Sequence, residues 1–248
     1  MTLIRLAEEV YQLVWSYHHL LLDGWSLAQA LRELFIYYEI IRLDEVYLMP
    51  APHPYRDYIN WLQQQDEEKA AAYWQAQLAD ITAPTPLVMQ DWRPVDKENE
   101  VVPEERQLEL TAEATAVLQA TAKQHQLTMS TLVQAAWSYL LSRYTGEADV
   151  IFGSVVSGRP ASLANVETIV GPFINTLPVR VHIEPDEPVL AWLTALNQQM
   201  VEMREYEYSA LVDIQQWSSI PRDQPLFETT FVFENYPWRC LWKMNASA

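Results

Sequence analysis

The first forty residues change rhythm once, and the change marks where strands give way to a helix. Residues 2–7 and 10–17 alternate between apolar and polar positions, which predicts two short strands with Glu8-Glu9 as the turn between them. On the second strand Leu13, Trp15, Tyr17 and His19 share one face, and Gln12, Val14, Ser16 and His18 share the other. The two adjacent histidines therefore point apart and are poorly placed to hold one metal together. Beyond Gly24 the apolar residues Leu27, Leu31, Leu34, Phe35, Tyr38 and Ile41 fall at helical spacing, with Ser26 as a suitable N-cap. A lone hairpin is a poor sheet, so further strands are expected beside it.

The rest of the chain reads in the same way. Pro50, Pro52 and Pro54 make residues 44–55 an extended connector. A helix follows over 55–78, in two parts around Gln65-Asp66, and its Tyr58, Trp61, Tyr73 and Trp74 suit core packing better than a cofactor box. Residues 80–103 carry Pro84, Pro86, Pro94 and Pro103 among mixed charges and predict an interdomain linker, because so long a loop is uncommon inside one compact domain. A short strand is predicted over 106–110, then Thr111 as an N-cap and helices over 112–124 and 129–144, the second stopping before Gly146. Residues 149–156 form an apolar strand leading into Ser157-Gly158-Arg159-Pro160, which taken alone is a simple turn. A strand over 173–183 contains Pro178, which favours an edge or crossover position. A helix over 187–206 and a last strand over 226–234 complete the pattern.

Composition narrows the possibilities. Half of the 248 residues are hydrophobic and 12% are aromatic, enough for one large or two modest domains with real cores. A net charge of −17 argues against a nucleic-acid partner, whose phosphates call for clustered Lys and Arg. Cys240 is the one cysteine, so no internal disulfide can form and a reducing, cytoplasmic setting is the default. No apolar run reaches membrane-spanning length, and residues 1–9 lack a signal-peptide pattern. Five glycines, no HExxH and no cysteine pair leave no phosphate loop or metal set, and His53, His125 and His182 are scattered.

The stretch WSYHHLLLDGWS puts a histidine at the end of a strand, then a tight Asp-Gly turn, then a helix start. That is a place where an imidazole could be held rigidly. In isolation the pattern is short, and a histidine at a strand end is more often structural. Its surroundings change that ranking.

HHLLLDG (18–24) resembles the HHxxxDG motif of the condensation domains of nonribosomal peptide synthetases, a family within the chloramphenicol-acetyltransferase-like superfamily. Six further stretches resemble the same family in the same order: YRDYINWLQQQD (55–66), AAYWQAQL (71–78), DVIFGSVVSGRP (149–160), VGPFINTLPVRV (170–181), YSALVDIQQWS (208–218) and PLFETTFVFENYP (225–237). The resemblance implies an α/β, or layered α+β, two-lobed fold. Residues 1–79 would be the remainder of an N-terminal lobe, 80–103 the linker, and 104–248 a C-terminal lobe incomplete at its end. The family's leading segment is absent here, so the chain is expected to be a piece truncated at both ends.

The implied reaction joins a carrier-bound aminoacyl or peptidyl thioester to a carrier-bound amino acid. Such chemistry asks little of a protein: a neutral fraction of the amine, whose pKa is about 7.7–8.0, already exists near physiological pH, and a thioester is activated. Aligning the partners, taking up a proton and steadying the oxyanion complete the task. By resemblance His19 takes the proton or positions the amine, and His18, Gly24 and Asn175 support it. Asp23 is structural, paired with Arg159. No cofactor or metal of its own is implied; phosphopantetheine arrives on the carrier proteins, which with adjoining synthetase domains are the expected partners. HHLLLDGWS and YSALVDIQQWS look most like members that join L-residues. A non-catalytic fragment or carrier-docking module, and a related epimerase, are the alternatives.

Overall fold

In the computed structural model, which describes residues 1–44, 46, 51–87 and 104–234, the first alternating segment becomes an antiparallel hairpin. β1 (Thr2–Arg5) pairs with β2 (Tyr11–Val14), Thr2 opposite Val14 and Arg5 opposite Tyr11. The Leu6 amide donates to the Val10 carbonyl at 2.8 Å, and the Arg5 guanidinium donates to the carbonyls of Ala7 and Glu8, which ties the turn. β2 ends well short of the alternating pattern over 10–17. Its last pair sets Val14 opposite Thr2, and residues 15–19 are not in a strand. Side-chain alternation therefore does not extend to His18 and His19, and both are exposed. The opposite-face assignment of the two histidines does not hold.

α1 (Gly24–Leu43) starts from Asp23, whose Oδ1 accepts the Ser26 amide at 2.7 Å. The expected cap at Ser26 is thus displaced by three residues: a carboxylate placed one residue before the helix reaches the third helical amide directly. Gly24 is the first helical residue and is not among the glycines of positive φ, so the turn does not use that freedom. The anticipated helix over 55–78 divides into α2 (Tyr55–Leu62) and α3 (Glu67–Gln77), with Asp66 capping the second by accepting the Lys69 amide at 3.0 Å.

The described residues fall into two compact units. One comprises residues up to Gln65 with Ser157–Ile174; the other comprises Asp66–Val156 with Asn175–Phe233. These bounds differ from the division at 1–79, 80–103 and 104–248. Residues 80–87 pack as part of the second unit: Ile81 is in its core, and the buried Thr85 hydroxyl accepts the Ile151 amide at 2.7 Å. Residues 88–103 and the tail after 234 lie outside the described residues, as do most of 45–50 in the anticipated connector.

The second unit is built on a three-stranded sheet. β3 (Asp149–Val156) lies at the centre, antiparallel to β4 (Asn175–His182) and parallel to the two-residue β5 (Thr230–Phe231). Val150, Ile151 and Phe152 are all at 2% exposure or less, the central position a near-continuous apolar run calls for. Pro178 sits on the edge strand opposite Gly153, where a missing amide is tolerated. Asp149 and Arg180 chelate across β3 and β4, with the Arg180 Nε at 2.9 and 3.0 Å from the two carboxylate oxygens; a further guanidinium nitrogen donates to the Ala79 carbonyl at 2.6 Å.

Four more helices complete this unit: α4 (Ala112–Gln124), α5 (Met129–Thr145), α6 (Val189–Met203) and α7 (Leu211–Trp217). Thr111 and Thr128 cap the first two, and Gly146 at φ 78° closes α5 in the left-handed conformation. Trp74 and Leu78 from the α3 region, Ala135 and Leu141 from α5, Leu196 and Met200 from α6 and Ile214 from α7 form the core with the sheet. The strand expected over 106–110 is not formed. Those residues meet no partner strand among the described residues, and Leu108 is 87% exposed. No helix among the described residues is long and apolar enough to cross a membrane.

Phe152 is fully enclosed and meets Phe231 edge-on at 6.4 Å. Phe152→Ala is expected to destabilise the chain by about 3–5 kcal/mol in chemical denaturation. A loss below about 1 kcal/mol would mean that the sheet centre collapses to fill the space.

Candidate functional site

The site is built around the Asp23 carboxylate, which is 2% exposed. Each of its oxygens accepts one backbone amide. Oδ1 takes the Ser26 amide at 2.7 Å, fixing the start of α1, and Oδ2 takes the Phe173 amide at 3.1 Å. A guanidinium nitrogen of Arg159 lies 3.4 Å from both oxygens, so the buried negative charge is matched by a buried positive one. The same nitrogen donates to the Ser26 hydroxyl at 3.0 Å.

Arg159 also organises its own segment. Its other terminal nitrogen donates to the carbonyls of Val166, at 2.6 Å, and Ile169, at 2.9 Å. Its guanidinium lies over the Phe173 ring, 4.0 Å from the centroid. Burial pulls the Arg159 pKa below its ordinary value, and Asp23 opposes that shift. The tetrapeptide Ser157-Gly158-Arg159-Pro160 is therefore more than a simple turn. Gly158 adopts φ +63°, and a Cβ there would collide with the Phe173 carbonyl, so glycine is what lets the two ends of the segment touch. Gly171 is similarly constrained, because a side chain would strike the Tyr55 ring.

Aromatic packing closes the first unit around this network. Tyr58, Val166, Ile169 and Phe173 form its small core, flanked by Tyr55, Trp61 and Leu163. The Phe173 ring lies 5.1 Å from that of Tyr55 and 4.6 Å from that of Tyr58. Tyr55 donates its hydroxyl to the Pro172 carbonyl at 2.7 Å, and the Trp25 indole donates to the Glu167 carbonyl at 2.9 Å.

The residues read from the sequence are distributed as follows. Asp23, Gly24 and Arg159 come together in this unit. His18 and His19 occupy the exposed turn just before Asp23. The His18 Nδ1 accepts the Leu20 amide at 3.1 Å and its carbonyl accepts the Leu21 amide at 2.9 Å, so His18 shapes the turn that carries His19. Asn175 belongs to the second unit, where its amide donates to the carbonyls of Glu207 and Ser209 at 2.9 and 2.7 Å. Sequence reasoning missed the roles of Ser26, Tyr55, Gly171 and Phe173. Their signal was present in DGWS and VGPF, but nothing in one sequence says that stretches 145 residues apart share hydrogen bonds.

The condensation-domain family matches this chain over residues 1–248. The chain belongs to that family. Among related proteins, this condensation domain is 45% identical over 237 residues to a linear gramicidin synthase of Brevibacillus parabrevis, covering 95% of this chain and 3% of that protein. It is 37% identical over 235 residues to surfactin synthase subunit 3 of Bacillus subtilis (strain 168), covering 95% of this chain and 18% of that protein. In fold it is similar to the first condensation domain of the calcium-dependent antibiotic synthetase in complex with a substrate analogue, with a TM-score of 0.69 at 22% identity. That match covers 89% of this chain and 49% of the other. The condensation domain thus spans about half the length of that solved chain and only a small part of the much longer synthetases. Its mixed helices and sheets are those of the chloramphenicol-acetyltransferase-like fold.

Two measurements probe the network. Asp23→Ala strips Arg159 of its charge partner at a buried position, and a stability loss of about 3–5 kcal/mol is expected in urea unfolding. A variant melting like its parent would show that Arg159 is satisfied without Asp23. Burial, aided by the Asp23 charge, raises the Tyr55 pKa above its ordinary value of 10. The folded state then holds that proton more tightly than the unfolded state. Its contribution is complete below pH 10 and declines as pH rises through the raised pKa. Tyr55→Phe should therefore lose less stability than the parent as pH rises above about 10; parallel stability-versus-pH curves would contradict this.

Proposed function

We propose that this chain forms peptide bonds in nonribosomal peptide synthesis, joining a carrier-bound aminoacyl or peptidyl thioester to a carrier-bound amino acid. The observation that carries the reading is the HHLLLDG turn, which delivers His19 immediately before a helix start locked by Asp23, Ser26 and Arg159. The substantial identity to peptide synthetases supports it. Donor and acceptor carrier proteins would supply both substrates on phosphopantetheine arms, with adjoining synthetase domains as further partners, in the cytoplasm. We assign it to members that join L-residues.

In this mechanism the acceptor's neutral amine attacks the thioester carbonyl. The new C–N bond forms, the ammonium proton leaves, and collapse of the tetrahedral species expels the carrier thiol with a proton. In this reading His19 receives the amine proton or orients the amine. Exposure of its turn suits a side chain that must meet two incoming arms. Asp23 and Arg159 do no chemistry in this scheme. Each neutralises the other, and together they hold the helix start that the His19 turn leads into. His18 supports the same turn through its Nδ1.

Single-turnover peptide formation with loaded donor and acceptor carriers tests the reading. His19→Ala should slow the step by about 10²–10⁴-fold, and His18→Ala by less. Full activity in His19→Ala would remove the assignment. Exchange of the donor's α-proton with solvent in place of peptide formation would indicate an epimerase. A chain inactive in both assays would indicate a non-catalytic carrier-docking module.

A further inference from the structure

We propose that Ser26 is a positioning residue of the condensation site, its hydroxyl fixing how the Ser157–Ile174 segment is seated against the start of α1. The consequence for rate rests on the condensation reading; the seat itself does not. Ser26 is fully buried, at 0% exposure. A serine hydroxyl has one proton to give and two lone pairs to receive, and here all three are used. It donates to the Gly171 carbonyl at 2.8 Å and accepts the Gly171 amide and an Arg159 nitrogen, each at 3.0 Å. One oxygen therefore grips both backbone groups of one residue.

The distances rank the contacts. The Arg159 nitrogen shared by Asp23 and Ser26 stands 3.4 Å from each carboxylate oxygen but 3.0 Å from the hydroxyl, so this nitrogen makes its closer bond to Ser26. The ion pair supplies charge balance, and Ser26 adds a directional bond from the same nitrogen. Gly171 cannot retreat from this grip towards α2, because the Tyr55 ring already lies against it. Two residues further on, the Phe173 amide is held by Asp23. Gly171 and Phe173 are thus docked onto side chains at the cap and first turn of α1, the helix that the His19 turn enters. A shift in the hydroxyl displaces the segment and the cap together.

Two variants separate hydrogen bonding from space filling. Ser26→Ala removes the hydroxyl; Ser26→Cys fills the same site with a thiol that is a weak donor and a weak acceptor. Amide hydrogen exchange in the full chain should rise about tenfold at Gly171 and Phe173 in both variants, with β3 protection unchanged. The single-turnover rate should fall about tenfold in both, while the acceptor concentration giving half the maximal rate stays within about twofold. Parent-like exchange in Ser26→Cys would overturn the proposal, since shape alone would then suffice. Equal deprotection of β3 would also overturn it, by reducing Ser26 to a contributor to global stability. So would an unchanged rate in variants whose seat has opened. A parent chain that forms no peptide would refute the condensation reading, and the exchange comparison would still decide whether Ser26 sets the seat.

Discussion

A carboxylate removed from water must find compensation for every lone pair it exposes, and Asp23 imposes that demand on the first unit. Its oxygens take amides from α1 and from the stretch before β4, and its charge draws Arg159 inward. An unpaired buried charge costs several kcal/mol, so the surrounding chain has little freedom in where it lies. Glycine at 158 and 171 is what permits the approach. The Phe173 ring covers the guanidinium from one side. Few other groups in this unit are well enclosed, which makes the polar network as much a part of its integrity as its small aromatic core.

The second unit depends on a different balance. Its central strand, flanking helices and threonine caps follow patterns that local sequence encodes strongly. The strand over 149–156, and the helix read over 129–144 that forms as Met129–Thr145, were accordingly legible from local pattern and caps alone. The strand over 106–110 failed for the opposite reason: alternation is a local property, whereas a strand exists only if another strand lies beside it. β2 ends at Val14, which removes the basis for separating His18 from His19 by face. The cap at Asp23 could have been read locally, since Asp stands three residues before the Ser26 amide it accepts.

Pairing of Asp23 with Arg159 came from family resemblance, and no spacing rule spans 136 residues. What neither resemblance nor pattern conveyed is the hydroxyl between the two charges. Serine after Asp-Gly-Trp looks like an ordinary helix-start residue, and its longer-range bonds are invisible until the chain is folded. His18 teaches a related lesson. Its imidazole serves backbone geometry in the turn, a use that sequence motifs record only as a repeated letter.

The contact of Gly158 with the Phe173 carbonyl brings the two ends of a long excursion together. Between them the inward-facing anchors are Arg159, Leu163, Val166, Ile169 and Gly171, while Ala161, Ser162, Ala164 and Asn165 face solvent. A loop with joined ends changes its closure entropy only logarithmically with length. Extra residues placed at the exposed crest would therefore leave the stem undisturbed, making the crest a natural position for length variation between relatives and for inserting a reporter peptide. The spacing from Val166 to Phe173 has no such tolerance, because each anchor there is measured against a fixed side chain.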